Sequence, residues 1–465
     1  MNPSEIPSSP RRGFLKALGG ITAGLAGLPA LSSAQNRVNT PSRRTGAKYM
    51  GDFSAPKLEK VKVAIIGVGA RGSGHAAQLA SITGVEFVGI CDLVEDRAKR
   101  AEANVVKKGH TPKVYFGEEE AWKKMLAETQ PDAVFIATPW DHHAPMCVAS
   151  MKAGAHAFCE VPIAYTIEEM WEIVDTSEAT GRHCMMMENV NYGREELLYL
   201  NMCRQGVLGD LLHGEASYLH PLCMQMENGD STGSWRTFQY AKRNGNLYPT
   251  HGLGPVAQYM NLGRTEDTFA RMVSFSSPAK GRAAYAKKST KLSNPEFKTL
   301  DFKGGDMSTS IIKTALGRTI MVQWDETTPR PYSRHNLIMG VNGVLAGFPN
   351  RMSIEGVTKS HDEGWAEDAA WEEIAAKYEH PLYKRMGELS KKMGGHGGMD
   401  FLMLFRIIEC LQKGEPLDQN VYEGCFWSAV GPLSEKSVAE DGNSQVFPDF
   451  TRGNWKTTKP LGIIA

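Results

Sequence analysis

Short apolar runs alternate with charged, amphipathic segments through the first half of the chain. The runs with the composition of buried parallel strands are 61–67, 85–92, 132–138, 156–160 and 183–188. The helices predicted between them span 73–81, 95–108, 118–128 and 142–152, followed by one that starts at the capping-box motif Thr166-x-x-Glu169. This alternation predicts an α/β domain with a doubly wound parallel sheet over residues 61–190.

The pattern changes after residue 190, where longer strands alternate between apolar and polar positions. The predicted strands are 211–220, 269–276, 309–316, 319–325, 337–341 and 344–348, and the predicted helices are 194–205 and 401–412. Gly317-Arg318 and Asn342-Gly343 are predicted to form hairpin turns. Residues 191–440 therefore predict a second α/β domain with an open, mainly antiparallel sheet, which would hold the substrate, and residues 441–465 an irregular tail packing on the domains.

The first 34 residues differ from the rest of the chain. Arg11-Arg12 precedes a Gly- and Ala-rich apolar stretch and then the small residues Ser32-Ser33-Ala34, which resembles a twin-arginine export signal. A disordered basic tail or a membrane anchor is the alternative, but so many Gly and Ala residues suit a weakly hydrophobic signal better than a permanent span. We therefore expect recognition by the twin-arginine export machinery and a periplasmic or secreted protein. Residues 35–60 are polar and predict a linker.

Composition narrows the class of protein. At 465 residues and 42% hydrophobic content, the chain can build two cores. Lys+Arg and Asp+Glu balance at 52 each, so no nucleic-acid partner is expected. The eight cysteines are scattered singly, with neither zinc-ligand spacing nor a disulfide framework, so no metal is expected.

The motif Gly67-Val68-Gly69-Ala70-Arg71-Gly72 follows a predicted strand and opens a predicted helix. In a Rossmann domain such glycines let the backbone approach a pyrophosphate at the helix N-terminus. Asp92 ends the next predicted strand, at the spacing of an acid that binds the ribose. An acid there favours NAD over NADP, because it would repel a 2′-phosphate, although Arg71 would weaken that preference.

Three motifs together resemble the Gfo/Idh/MocA oxidoreductases: the glycine motif, Ala137-Thr138-Pro139 and Cys159-Glu160-Val161-Pro162. That family pairs a Rossmann domain with an α/β substrate domain built on an open sheet. Its dehydrogenases usually have Glu-Lys-Pro, with the lysine acting at the reacting carbinol, whereas this chain has Val161. Since valine neither donates a hydrogen bond nor moves a proton, a plain sugar dehydrogenase is less expected.

Longer motifs resemble glycoside hydrolase family 109, whose best-known activity is an NAD-dependent α-N-acetylgalactosaminidase. These motifs are Met185-Met186-Met187-Glu188-Asn189, Tyr248-Pro249-Thr250-His251-Gly252, Gly394-Gly395-His396-Gly397-Gly398-Met399-Asp400 and Pro448-Asp449-Phe450-Thr451-Arg452-Gly453. The resemblance runs from residue 62 to residue 455 and also implies an export signal. The chain departs from the family at His220-Pro221-Leu222-Cys223, where His-Asp-Leu-Arg is common, which leaves the sugar specificity open.

The resemblance implies a redox-neutral hydrolysis on bound NAD. The sugar would be oxidised at C3, lose its acidified C2 proton, eliminate the C1 leaving group, add water and be reduced again. Export supports such a cycle, because an exported dehydrogenase meets no cellular pool of NAD and would stop after one turnover.

The resemblance also implies roles for individual residues. Those expected to hold the cofactor are Gly67, Gly69, Ala70, Arg71, Gly72, Asp92, Trp140, Asp141, His142, His143, Glu160, Val161, Asn189 and Tyr248. Those expected to bind a small-molecule or glycan substrate are Tyr218, Arg236, Tyr248, Pro249, Thr250, His251 and Tyr332. His251 is the candidate base at the C3 hydroxyl, because neutral imidazole suits proton transfer near pH 7. Tyr332 or Tyr248 is the candidate for the C2 proton or the leaving oxygen, and His396 is either catalytic or a loop packing residue.

Two other functions fit the same residues. One is a periplasmic NAD-dependent sugar oxidoreductase of the Gfo/Idh/MocA type that passes hydride between two sugars. The other is a non-catalytic sugar-binding module that kept the fold. By analogy, the open sheet of this fold would also allow a homo-oligomer.

Overall fold

The computed structural model describes residues 40–230, 232–358 and 364–463, so the expected export signal lies outside the described residues. In the first half the strands are β1 Val61–Ile66, β2 Val85–Cys91, β3 Lys113–Tyr115, β4 Ala133–Ile136, β5 His156–Cys159 and β6 Cys184–Met186. The helices of this half are α1 Gly72–Leu79, α2 Glu95–Val106, α3 Ala121–Thr129, α4 His143–Lys152 and α5 Ile167–Thr180.

The first half is a doubly wound parallel sheet, as its sequence pattern predicts. Its six described strands lie in the order β3-β2-β1-β4-β5-β6, all parallel. The chain changes direction across the sheet between β1 and β4, which is where ligands bind in sheets of this kind. The predicted capping box is present, with both the Thr166 and the Glu169 hydrogen bonds formed at the start of α5. The short edge strand β3 was not predicted.

The second half holds a larger mixed sheet. Its strands are β7 Leu211–Leu219, β8 Phe269–Ser276, β9 Ser308–Thr314, β10 Thr319–Asp325, β11 Leu337–Gly340, β12 Gly343–Ala346, β13 Arg351–Ile354 and β14 Gln445–Val446. Its helices are α6 Arg194–Arg204, α7 Gly233–Lys242, α8 Thr250–Tyr259, α9 Gly281–Lys288, α10 Asp368–Tyr378, α11 Pro381–Met393, α12 Met399–Lys413 and α13 Val421–Ala439. In the described chain the order is β13-β12-β11-β7-β10-β9-β8-β14, antiparallel apart from the β7–β10 pair. The prediction of a mainly antiparallel sheet is therefore confirmed.

Both predicted hairpin turns are shifted toward the N-terminus. The Thr314 N–H donates to the Arg318 carbonyl oxygen at 2.9 Å, so the turn between β9 and β10 is Ala315-Leu316-Gly317 rather than Gly317-Arg318. The second turn is shifted by one residue. Gly340 pairs with Gly343 across β11 and β12, so the turn is Val341-Asn342 rather than Asn342-Gly343. A Cβ atom on Gly343 would lie 2.4 Å from the carbonyl oxygen of Ser353. Gly343 therefore allows β13 to pack close to β12. The sequence pattern of the turn does not predict this contact.

The later helices return to the first half of the chain. Helix α12 packs on α1 and β1, and α13 packs on α5 and β6. The described part of the expected linker is held there too, because Met50 and Ala55 are buried and the Tyr49 ring stacks on Tyr422 of α13 at 4.9 Å. No helix of the described residues has the length and apolar character needed to cross a bilayer.

Helix α8 lies unusually close to strand β7. A Cβ atom at Gly252 would lie 2.3 Å from the backbone nitrogen of Ser217 and 2.6 Å from its oxygen, distances that no side chain tolerates. The close approach brings His251, in the first turn of α8, next to Tyr218 of β7, with ring centroids 5.0 Å apart. The contact between His251 and Tyr218 therefore requires a residue without a side chain at position 252.

This packing predicts the effect of adding one methyl group. Gly252→Ala should destabilise the fold by about 1–3 kcal/mol, because the methyl group would force α8 away from β7. Gly74→Ala is the matched control, since Gly74 lies in α1 with open space around its Cβ position and alanine favours helix. Denaturant midpoints of both variants check this, and a wild-type midpoint for Gly252→Ala would contradict the described packing.

Candidate active site

A cleft of about 370 Å³ opens at the carboxyl ends of β1, β4 and β5, and residues of the second half form its other wall. The expected cofactor residues that line it are Gly67, Gly69, Ala70, Arg71, Asp92, Trp140, His142, His143, Glu160 and Val161. The cleft lies at the point where the strand order reverses, and its volume is within the range of small-molecule sites.

The three glycines of the motif fit a dinucleotide in different ways. A Cβ atom at Gly67 would lie 2.8 Å from the carbonyl oxygen of Ala137, and one at Gly72 would lie 1.9 Å from that of Gly67. At Gly69 the nearest atom is Arg97 Nη1, 4.0 Å away, so this backbone is open to a ligand. The first and third glycines allow the turn and its packing, and the second lets a pyrophosphate approach.

Asp92 is held facing this cleft. Its carboxylate accepts hydrogen bonds from the backbone N–H groups of Val68 (2.7 Å) and Val94 (2.9 Å), which fix the side chain just beyond β2. A carboxylate oxygen accepts more than one hydrogen bond, so Asp92 retains capacity for ribose hydroxyls.

Arg71 binds two carboxylates. Its Nε donates to Glu160 Oε1 at 2.8 Å, and its Nη1 and Nη2 donate to the two oxygens of Asp400 at 2.7 and 3.0 Å. Burial alone would raise the pKa of Glu160, but Arg71 and His75 hold it well below its usual range. The guanidinium is thus committed to protein carboxylates, which removes the reason to expect that Arg71 accommodates a 2′-phosphate.

The remaining expected cofactor residues lie around the cleft rather than in its lining. Gly72 packs beneath the turn, Asp141 accepts a hydrogen bond from Gln239 at 3.1 Å, and Asn189 donates to Asp400 Oδ1 at 2.7 Å. Tyr248 stacks on Trp140, with ring centroids 6.0 Å apart. Asn189 therefore reaches the cofactor wall only through the carboxylate that also holds Arg71.

His143, although it lines the cleft, is built into the wall between two strands. Its ring nitrogens lie 2.7 Å from the carbonyl oxygen of Pro162 and 2.8 Å from that of Thr138. Burial lowers the pKa of His143. The ring thus connects the chain after β4 to the chain after β5 and keeps the cleft in shape.

The residues expected to face the sugar form one cluster. The Tyr218 ring lies 5.1 Å from Tyr248 and 6.1 Å from Tyr332, and Tyr248 lies 4.9 Å from His251, all between ring centroids. Arg236 donates to the Tyr248 hydroxyl at 3.2 Å. Pro249 and Thr250 are buried at the start of α8, where they form the turn that presents His251.

Glu188 belongs to the Met185–Asn189 motif, but no role was predicted for it. It is fully buried just beyond β6, and its Oε1 lies 2.6 Å from His251 Nδ1. A carboxylate only accepts, so Nδ1 must carry the hydrogen and Nε2 is left to accept a proton. The sequence position of Glu188 indicates a functional residue, because it follows a strand at the carboxyl edge of the parallel sheet, where functional side chains gather.

Three further residues join the site without having been predicted. His75 lies 2.6 Å from Glu160, Asp400 binds Arg71, and the His220 ring lies 5.0 Å from Tyr332. His396 is largely exposed in its glycine-rich loop, with Nδ1 2.8 Å from Asp400 Oδ2. Burial would raise the pKa of Asp400, but the His396 hydrogen bond and the Arg71 charge lower it to about 2.

Comparison with known proteins agrees with this division of the chain. Residues 61–188 match the family model of the oxidoreductase family with an NAD-binding Rossmann fold, and residues 192–457 match the model of the glycosyl hydrolase 109 C-terminal domain. A glycosyl hydrolase family 109 protein of Akkermansia muciniphila is 58% identical, and the alignment covers 98% of this chain and 99% of that protein.

Solved structures share the fold at low sequence identity. Scyllo-inositol dehydrogenase from Lactobacillus casei, with bound NAD(H) and scyllo-inositol, has a TM-score of 0.57 at 14% identity, over 83% of this chain and 99% of that one. An oxidoreductase from Agrobacterium radiobacter, in complex with NAD+, L-tartaric acid and magnesium, has a TM-score of 0.56 at 16% identity. The match covers 83% of this chain and 98% of that chain.

These comparisons confirm the expected Rossmann domain, its NAD cofactor and the resemblance stated above. The glycine turn and Asp92 fit NAD, and the cluster expected to face the sugar lies in the region that the hydrolase model matches. The chain belongs to glycosyl hydrolase family 109, with an NAD-binding domain of the Gfo/Idh/MocA oxidoreductases at its N-terminal side.

Proposed function

We propose that this protein is an exported glycosidase that hydrolyses terminal α-linked N-acetylgalactosamine on tightly bound NAD. The family and the NAD-binding domain support a glycosidase. The observation that carries the proposal furthest is the Glu188–His251 pair, a proton acceptor next to the cofactor cleft. The choice of sugar rests on the resemblance of the motifs alone.

When bound, NAD supplies a hydride acceptor and donor, so that oxidation of the sugar and its later reversal cancel. The cleft wall at Val161, where related dehydrogenases have lysine, is apolar and buried. Proton transfer must therefore come from other side chains. The cluster on the second half offers His251, Tyr332 and Tyr248.

His251 Nε2 is the proposed acceptor of the C3 hydroxyl proton. The Nδ1–Glu188 hydrogen bond fixes the tautomer and the orientation of the ring, and the buried carboxylate stabilises the imidazolium that forms. Because Gly252 lets α8 approach β7, the same ring packs against Tyr218 and Tyr248, which limits its rotation.

The two tyrosines are suited to different tasks. Arg334 donates to the Tyr332 hydroxyl oxygen at 2.7 Å, which fixes the position of that oxygen, and we assign Tyr332 to the C2 proton. Burial raises the pKa of Tyr248 to about 12, against the opposing charge of Arg236. A tyrosine that stays protonated at neutral pH suits donation to the leaving oxygen, which is the task we propose for Tyr248.

Export gives the proposal an independent physical argument. Outside the cytoplasm no pool of NAD replaces a lost cofactor and no partner reoxidises NADH. A cycle that ends with the cofactor in its starting state continues indefinitely there, whereas a net oxidation does not. The predicted twin-arginine signal is compatible with this, since that route carries proteins already folded around their cofactors.

A turnover assay tests the proposed function. The purified mature protein, with no nucleotide added, should release many equivalents of phenol from an aryl α-N-acetylgalactosaminide while absorbance at the NADH band stays at baseline. A panel of other aryl glycosides tests the sugar. A lasting NADH signal that a second sugar discharges, without phenol release, would instead establish a sugar oxidoreductase.

The role of Glu188 is tested with a cycle of variants. Glu188→Gln keeps the shape but not the charge, so kcat should fall about 100-fold while KM and bound NAD stay near wild type. His251→Ala should lower kcat further, and Glu188→Gln should have little additional effect in the His251→Ala background. Equal effects of Glu188→Gln in both backgrounds would show that the carboxylate does not act through His251.

A further inference from the structure

A second cavity, of about 410 Å³, lies outside the cofactor cleft. The N-terminal turn of α6 contributes Glu195 and Glu196, and the chain between β10 and β11 contributes Arg334 and Asn336. The segment after β12, residues 348–350, forms the exposed rim. The volume falls within the range of small-molecule sites, about 300–1,000 Å³.

The cavity adjoins the sugar-facing cluster through Tyr332. Arg334, one of the lining residues, donates to the Tyr332 hydroxyl at 2.7 Å. Phe348, on the rim, packs edge-on against the Tyr332 ring with centroids 5.6 Å apart. The same ring also contacts His220 and Tyr218. One tyrosine therefore contacts both the rim of the second cavity and the cluster where the sugar is proposed to react.

The floor of the cavity retains unused hydrogen-bonding capacity. Glu196 Oε1 accepts from Arg334 Nη2 at 2.7 Å and from Asn336 Nδ2 at 3.3 Å. Within the described residues, Glu196 Oε2 and Arg334 Nε are buried and have no hydrogen-bond partner. Buried polar atoms without partners are rare in folded proteins, so the floor of this cavity calls for an explanation.

The chemistry of the lining is that of a carbohydrate site. Carboxylate, guanidinium and amide groups occupy the floor and accept or donate hydrogen bonds to hydroxyls, while Phe348 offers an apolar face at the rim. Burial and the neighbouring Glu196 raise the pKa of Glu195. Three non-glycine residues around the cavity, His335, Asn336 and Phe348, have positive φ angles of 57°, 49° and 59°, a strain that concentrates where ligands bind.

We propose that this cavity is a subsite for the sugar on the leaving-group side of the scissile bond. The inference rests on the proposed function, because Tyr332 is assigned there to the proton on C2, the carbon next to C1. A leaving group on C1 therefore begins beside Tyr332, and a neutral hexose attached there reaches the floor formed by Glu196, Arg334 and Asn336. The enzyme then recognises two consecutive sugars of a glycan.

The subsite is tested by comparing two substrates that share the reacting sugar. One is the aryl glycoside, whose leaving phenol carries no hydroxyl groups to bond the polar floor of the cavity, and the other is a disaccharide with a neutral hexose as leaving group. Asn350→Trp fills the exposed mouth of the cavity and Glu195→Gln removes a charge without adding bulk, so that one variant remains informative if the other misfolds. Leu316→Trp, at the exposed turn between β9 and β10, is the control for an added indole.

We expect Asn350→Trp to lower kcat/KM for the disaccharide about tenfold or more and Glu195→Gln about fivefold, with the aryl glycoside within twofold of wild type for both. Leu316→Trp should change neither substrate. Equal losses on both substrates, or no loss on the disaccharide, would overturn the subsite while leaving the glycosidase intact. A wild-type enzyme that cleaves only aryl glycosides would also overturn it, and one that cleaves no glycoside would overturn the proposed function and the subsite together.

Discussion

The partly buried guanidinium of Arg71 holds the candidate site together. It extends from the glycine turn and is bound by one carboxylate from the parallel half, Glu160, and by another from the start of α12, Asp400. Removing any one member would leave a poorly solvated charge with one partner fewer, which destabilises the arrangement. The three groups therefore require one another, and their position fixes the cofactor turn relative to the helix that returns from the far end of the chain.

In the second half, a close backbone contact positions the aromatic cluster around His251. Helix α8 and strand β7 touch at Gly252, and this contact determines where His251, Tyr218 and Tyr248 meet. The aromatic rings then pack edge to face around the imidazole, so the polar groups of the site stand on an apolar support. Side chains that are fixed in this way need little reorganisation when substrate binds.

Sequence patterns predict helices and strands whose buried positions repeat with a regular period. In this chain some elements have such a period and others do not. Strands β1 and β2 and the amphipathic helix α12 were predicted within about two residues, because burial on one face or along a whole strand leaves a period in the sequence. Helix α13 was missed, since it is buried nearly all round and has no polar face to mark its period. Helix α8 was missed because Gly252, Gly254 and Pro255 argue against a helix locally.

The candidate site shows the same limit. Motifs predicted which residues would face the cofactor and the sugar, but not the partners that hold Arg71 and His251 in place. Arg71 and Asp400 are 329 positions apart, and Glu188 and His251 are 63 apart. Such pairs meet only in the folded structure. Because their separations along the chain follow no regular spacing, the sequence does not predict that they are in contact.

The Glu188–His251 hydrogen bond also joins the two halves of the molecule, since the carboxylate follows a strand of the parallel sheet and the imidazole begins a helix of the other domain. Within the described residues, neither half by itself holds this pair, so the imidazole gains its partner only when the two halves pack together. If His251 is the base, as we propose, a parallel half loaded with cofactor would hold an oxidant without that base. Under the proposed function, the packing of the two halves would therefore decide when the protein can act on a sugar.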